Sequence, residues 1–129
     1  MPSSRTAYTR LMSKQHYLFR LIPPRPTFAQ DMTAQEGALM QAHARYLHEQ
    51  FTAGHVLLYG PVMAADGAFG LAVLEMDDEG EAQRFGERDP TVEAGLNRFE
   101  LSPMHVAAAA PRVFEPAVRA DDADAQSMF

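Results

Sequence analysis

Residues 31–61, DMTAQEGALMQAHARYLHEQFTAGHVLLYGP, constrain the fold more than any other stretch: a capped helix runs into a hydrophobic strand with almost no loop between them. Thr33 suits the N-cap, because its hydroxyl accepts from a backbone N–H that the first helical turn leaves unsatisfied. Glu36, three residues on, completes a T-x-x-E capping box. Leu39, Met40, His43, Leu47 and Phe51 recur at spacings of three and four and share one face, while Gln41, Arg45, His48 and Glu49 point largely the other way. One histidine, His43, therefore sits in the apolar stripe. Gly54 falls just past the last periodic residue, where a left-handed conformation is cheap for glycine, and residues 55–59, HVLLY, read as a strand.

The remaining elements fall on either side of this unit. Residues 16–22, HYLFRLI, form a first strand, closed by Pro23, Pro24 and Pro26, and a proline-rich loop of roughly ten residues leads to the Thr33 cap. Residues 63–68, MAADGA, supply an Asp-Gly hairpin turn, and residues 69–76, FGLAVLEM, the returning strand. Asp77 and Asp78 offer a cap for a second helix over residues 79–88, with Ala82 and Phe85 facing the sheet. Gly80 and Gly86 weaken that helix by about 1 kcal/mol each. Asp89 and Pro90 open a turn or short helix through Leu96, with proline at its first position and aspartate at the cap. Residues 99–107, FELSPMHVA, make the last strand, and Pro103 places it at an edge or a bulge.

The order β-α-β-β-α-β predicts an α+β, ferredoxin-like fold, an antiparallel sheet with helices on one face. Its strands are rich in large apolar residues on both parities, so the uncovered face is expected to be apolar too and to be buried by a second subunit, giving a homodimer or higher homo-oligomer. Residues 1–14, basic, polar and without the apolar core of a secretory signal, read as a flexible leader. Residues 15–110 form the domain, and residues 111–129 an acidic tail, a mobile arm or a strap across the partner.

Composition narrows the function classes. A net charge of −6, with only eleven scattered Lys and Arg, disfavours nucleic acid as a partner, and no apolar run approaches the ~20 residues of a membrane span. The absence of cysteine removes thiolate nucleophiles and Cys-based metal sites and suits a reducing cytoplasm. His16, His48, His55 and His105 lack ligand spacing, and His43 and His48 lie on different helix faces, so no metal site and no cofactor is expected. The carboxylates Glu75, Asp77, Asp78, Glu79 and Glu81 fit a strand end followed by a helix N-terminus. No Gly-rich phosphate loop is present.

Four ordered motifs carry a family resemblance: A-H-x-x-Y-L around His43, G-x-V-L-L-x-G-P ending at Pro61, D-G-A-F-G-L-A-V-L-E from Asp66, and D-P-x-V-x-A-G-L from Asp89. Together, over roughly residues 17–106, they resemble the YciI (YCII-related) family. The resemblance implies a subunit of the dimeric α/β-barrel superfamily and a histidine–aspartate active-site dyad, which falls on His43 and Asp89.

Histidine exchanges a proton near neutral pH, and a carboxylate on its other ring nitrogen fixes the tautomer. Without a nucleophile signature or a metal cluster, the dyad points to proton transfer, as in a lyase, isomerase or dehydrohalogenase, and the resemblance implies, by analogy with muconolactone-processing members of that superfamily, a small carbonyl or lactone compound as substrate. The substrate would sit in an apolar pocket between helix and sheet lined by Tyr17, Phe19, Leu58 and Tyr59, with Gly60 and Pro61 at its mouth, where glycine lets a backbone N–H come close to a ligand. The competing reading is a non-catalytic dimeric module that binds a small metabolite or serves regulation. There His43 is a hydrogen-bonded core residue and Asp89 simply a helix cap. Solvent access to His43 favours the enzyme, and a closed, satisfied imidazole favours the module.

Overall fold

The computed structural model describes residues 14–114. In chain order they form β1 (Gln15–Ile22), α1 (Phe28–Asp31), α2 (Ala34–Thr52), β2 (Val56–Val62), β3 (Phe69–Met76), α3 (Glu79–Glu87), α4 (Pro90–Glu93), β4 (Arg98–Met104) and a 3-10 turn, Pro111–Phe114. The strands make one antiparallel sheet in the order β2-β3-β1-β4. This is the α+β, ferredoxin-like arrangement that the sequence predicts, with β2, the first strand of the hairpin, and β4, the last strand, at the edges. The leader reading lies almost wholly outside the described residues, as does the tail beyond Phe114.

Local rules place α2. The Thr33 hydroxyl accepts the Glu36 N–H at 3.1 Å and the Glu36 carboxylate accepts the Thr33 N–H at 2.9 Å, so the capping box closes in both directions. Arg25, in the proline-rich segment, donates to both Glu36 oxygens (3.0 and 2.8 Å) and to Asp31 (2.7 Å), tying that segment to the start of α2. The guanidinium and the Thr33 N–H hold the Glu36 carboxyl down at about 2. At the other end Gly54, at φ 89°, turns the chain into β2.

Strand alternation builds the core. Register pairs Tyr17 with Leu74 and Pro103, Phe19 with Ala72 and Leu101, and Leu21 with Gly70 and Phe99, and these positions face the helices. Met40 and Leu47 from α2 and Ala82 and Phe85 from α3 pack onto them. Phe19 meets Phe85 edge-on (centroids 5.1 Å, 78°) and stacks on Phe99 (5.6 Å, 23°). The opposite sheet face carries Leu18, Ile22, Leu58, Leu71 and Val73, interrupted by a polar stripe. There the buried pair His16 and Glu75 lies 3.2 Å apart, and Arg20 reaches Glu100 at 3.3 Å.

Three details differ from the sequence reading. The proline-rich segment contains α1, whose single turn inserts Phe28 into the core. β2 runs on through Gly60 and Pro61 to Val62, two residues that read as a strand terminator. It is an edge strand hydrogen-bonded on one side only, where proline is tolerated, and a bulge between Val56 and Leu58 adjusts its register. β4 ends at Met104 instead of continuing to Ala107, and the following chain leads to the turn Pro111–Phe114, whose Phe114 is buried and which packs against β2. The beginning of the acidic tail is thus seated on the chain's own sheet.

Candidate functional site

His43 lies at the middle of α2, on its core face, and Asp89 caps α4, the one-turn helix that packs against α2. The two side chains meet through His43 Nδ1 and Asp89 Oδ2 at 2.5 Å. Asp89 divides its oxygens: Oδ1 accepts the Thr91 N–H at 2.9 Å and the Thr91 hydroxyl at 2.7 Å, which is the cap, while Oδ2 takes the imidazole. The cap alone uses one oxygen, and the fold turns the other onto the histidine.

Burial pushes the Asp89 carboxyl up, but the hydrogen bond and the charge of His43, followed by the two bonds from Thr91, outweigh it and hold the group below the ordinary carboxylate range. Asp89 is therefore an anion at neutral pH. An ionised carboxylate only accepts hydrogen bonds, so Nδ1 carries the proton and Nε2 holds the lone pair when the ring is neutral. The pair is enclosed: His43 is 1% exposed and Asp89 0%.

Further polar groups adjoin the dyad. Thr91, fully buried, orients Asp89, and its carbonyl accepts the Leu96 and Asn97 N–H groups. Asn97, 5% exposed, donates from Nδ2 to Met40 Sδ at 3.3 Å, and its Oδ1 is without a hydrogen-bond partner. Tyr46, one turn after His43, donates its hydroxyl to the Phe85 carbonyl at 2.8 Å and stacks on the Phe85 ring (5.4 Å, 26°). Burial, then the charge of Asp89, pushes the Tyr46 phenol up to about 12. The Asp-Pro-Thr sequence held a signal for Thr91, since the second residue after an aspartate cap is where the cap bonds land. Tyr46 stands in the A-H-x-x-Y-L motif without a role assigned to it, and nothing local singled out Asn97.

The residues expected around the substrate are placed differently from one another. Tyr17 and Phe19 are buried in the core beneath the helices. Leu58, 45% exposed, faces away from the helices, whereas Tyr59 faces them and meets Phe51 edge-on (5.6 Å, 68°), because successive strand residues point to opposite faces. Gly60 and Pro61 are half-buried on the edge strand. The structure brings His43 and Asp89 together and distributes these six over the core, the opposite face and the edge. Among the described residues, no three His, Cys, Asp or Glu side chains converge as metal ligands would, and no helix is long and apolar enough to cross a membrane.

The YCII-related domain matches residues 17–105, most of the chain and all four strands. The chain belongs to the YCII-related family. This YCII-related chain matches no curated protein.

Proposed function

We propose that this YCII-related chain is a cofactor-independent proton-transfer enzyme acting on a small carbonyl or lactone-type metabolite. His43 is the acid or base and Asp89 its positioning residue. The observation that carries the reading is the division of labour on Asp89. A carboxylate needed only for capping has no reason to orient an imidazole, yet its second oxygen holds His43 Nδ1 at 2.5 Å and so dictates the tautomer. With Nδ1 protonated, Nε2 is the atom that takes a proton from substrate, and the imidazolium that forms is stabilised by the carboxylate behind it.

A screen of small lactones and carbonyl acids tests this. Turnover is expected to fall by roughly 10²–10⁴-fold in His43→Gln, the usual weight of a positioned acid or base. Asp89→Asn is expected to lose activity while retaining the fold, because an amide can donate to the imidazole only if the ring proton moves to Nε2. The 15N shifts of His43 report that change of tautomer. Activity that survives both substitutions overturns the reading.

One observation favours the non-catalytic module: the imidazole is 1% exposed. Saturable binding of a metabolite with no turnover, unchanged in His43→Gln, selects that reading. In either case we propose a homodimer formed through the sheet face opposite the helices, where Leu58 and Met104 are exposed and Leu18, Leu71 and Val73 half-buried.

A further inference from the structure

Between the second half of α2 and α3 lies an open groove of about 470 Å³, within the roughly 300–1,000 Å³ typical of small-molecule sites. Its floor is apolar: Met76 at the end of β3 and Phe85 on α3, both buried in the core below, with the Tyr46 ring stacked on Phe85 beside them. His55 and Gln50 line the groove and are hydrogen-bonded to each other at 2.8 Å. Arg84, in the last turn of α3, and Arg88, the C-cap that follows it, line it from the other side.

The two arginines are the unusual part. Like charges four residues apart on a helix repel, and neighbouring carboxylates ordinarily relieve them. Here those carboxylates are engaged elsewhere. Glu81, three residues before Arg84 and itself in the groove wall, accepts the Asp77 N–H at 3.3 Å, and Glu87 accepts from Gln83 at 3.3 Å. Neither guanidinium has a hydrogen bond or ion pair among the described residues. The position of Arg84 in the last helical turn suits the helix dipole, which accounts for a cation there. The same dipole suits Arg88, the C-cap residue; what it does not supply is an anion for the pair, which stands beside an apolar floor in a chain of net charge −6.

We propose that this groove binds a small organic carboxylate with a flat apolar body, its carboxylate held by Arg84 and Arg88 and its ring laid against the half-buried Tyr46, above the closed floor of Phe85 and Met76. Guanidinium forks match the two oxygens of a carboxylate, and the planar aromatic wall matches a ring. The site is distinct from the His43 and Asp89 pair, and its test reads binding and not turnover.

The experiment is a 1H–15N NMR titration of the full chain with benzoate, with benzamide and inorganic phosphate as separate arms. Saturable shifts are expected at the Arg84 and Arg88 side-chain N–H groups and at the amides of residues 46–50 and 81–88. Both benzamide, which keeps the ring and lacks the charge, and phosphate, which keeps the charge and lacks the ring, should bind at least tenfold more weakly. The double variant Arg84→Gln, Arg88→Gln, altered only at exposed positions, should retain the wild-type circular dichroism and lose at least tenfold in benzoate affinity. Shifts that do not saturate, shifts centred elsewhere, equal binding of benzamide or phosphate, or an unchanged affinity in the double variant overturns the proposal.

Discussion

Asp89 joins two roles that separate substitutions can pull apart. Asp89→Ala removes the cap of α4 and leaves a buried imidazole N–H without its acceptor, so unfolding free energy should fall by at least about 2 kcal/mol at pH 7 in urea denaturation. The effect has a pH signature. The folded-state pKa of Asp89 lies below its unfolded value of ~3.9, so its stabilisation is complete above that value and is lost as pH falls through the folded value. The stability gap between wild type and Asp89→Ala should be constant from pH 7 down to about pH 5 and narrow below about pH 4. A gap that stays level to pH 3 means the carboxylate is not held as an anion by its partners. At this scale the sequence exposed His43 as the odd member of an apolar stripe and Asp89 as a cap before proline. That the cap's other oxygen points at the histidine is a tertiary fact, set by how α4 packs on α2. Asn97 and the Arg84 and Arg88 pair carried no local signal, and Tyr46, though part of the A-H-x-x-Y-L motif, had no role assigned, because their meaning depends on neighbours distant in the chain.

Two glycines in helices show why an element cannot be judged by propensity alone. Gly37 in α2 has open space where a Cβ would go, so Gly37→Ala should raise stability by about 0.5–1 kcal/mol through the unfolded chain's lost freedom, seen as a higher melting temperature. Gly86 in α3 looks equally expendable in sequence, yet a Cβ there would lie 2.5 Å from the Phe99 ring, itself stacked on Phe19. Gly86→Ala should therefore lower stability by about 1–3 kcal/mol despite its better helix propensity. Equal effects from the two substitutions would show that α3 does not approach β4 this closely. Elements with strong local signals were legible: the capping box, the hairpin turn and the alternation of β3 mark their boundaries to within a residue. α1 was not, because one turn among prolines is stabilised by burying Phe28 and not by any local pattern, and the extension of β2 through Gly60 and Pro61 follows from its place at the sheet edge.

For the whole molecule, the layered arrangement leaves a mixed sheet face opposite the helices, and the expected self-association uses it. Val73→Arg, at the centre of that face on β3, should halve the mass measured by light scattering while leaving the circular dichroism unchanged. A wild-type chain that is already monomeric removes the dimer reading altogether. The sheet order has a bearing on how such association ends. Its two outer strands, β2 and β4, each contain a proline, Pro61 and Pro103, and so each outer strand lacks one of the N–H donors that a further strand would need. Strand-by-strand extension, the route to fibres, is discouraged at both ends, which leaves the proposed face-to-face contact, one that closes after a fixed number of subunits, as the route that the sheet keeps open.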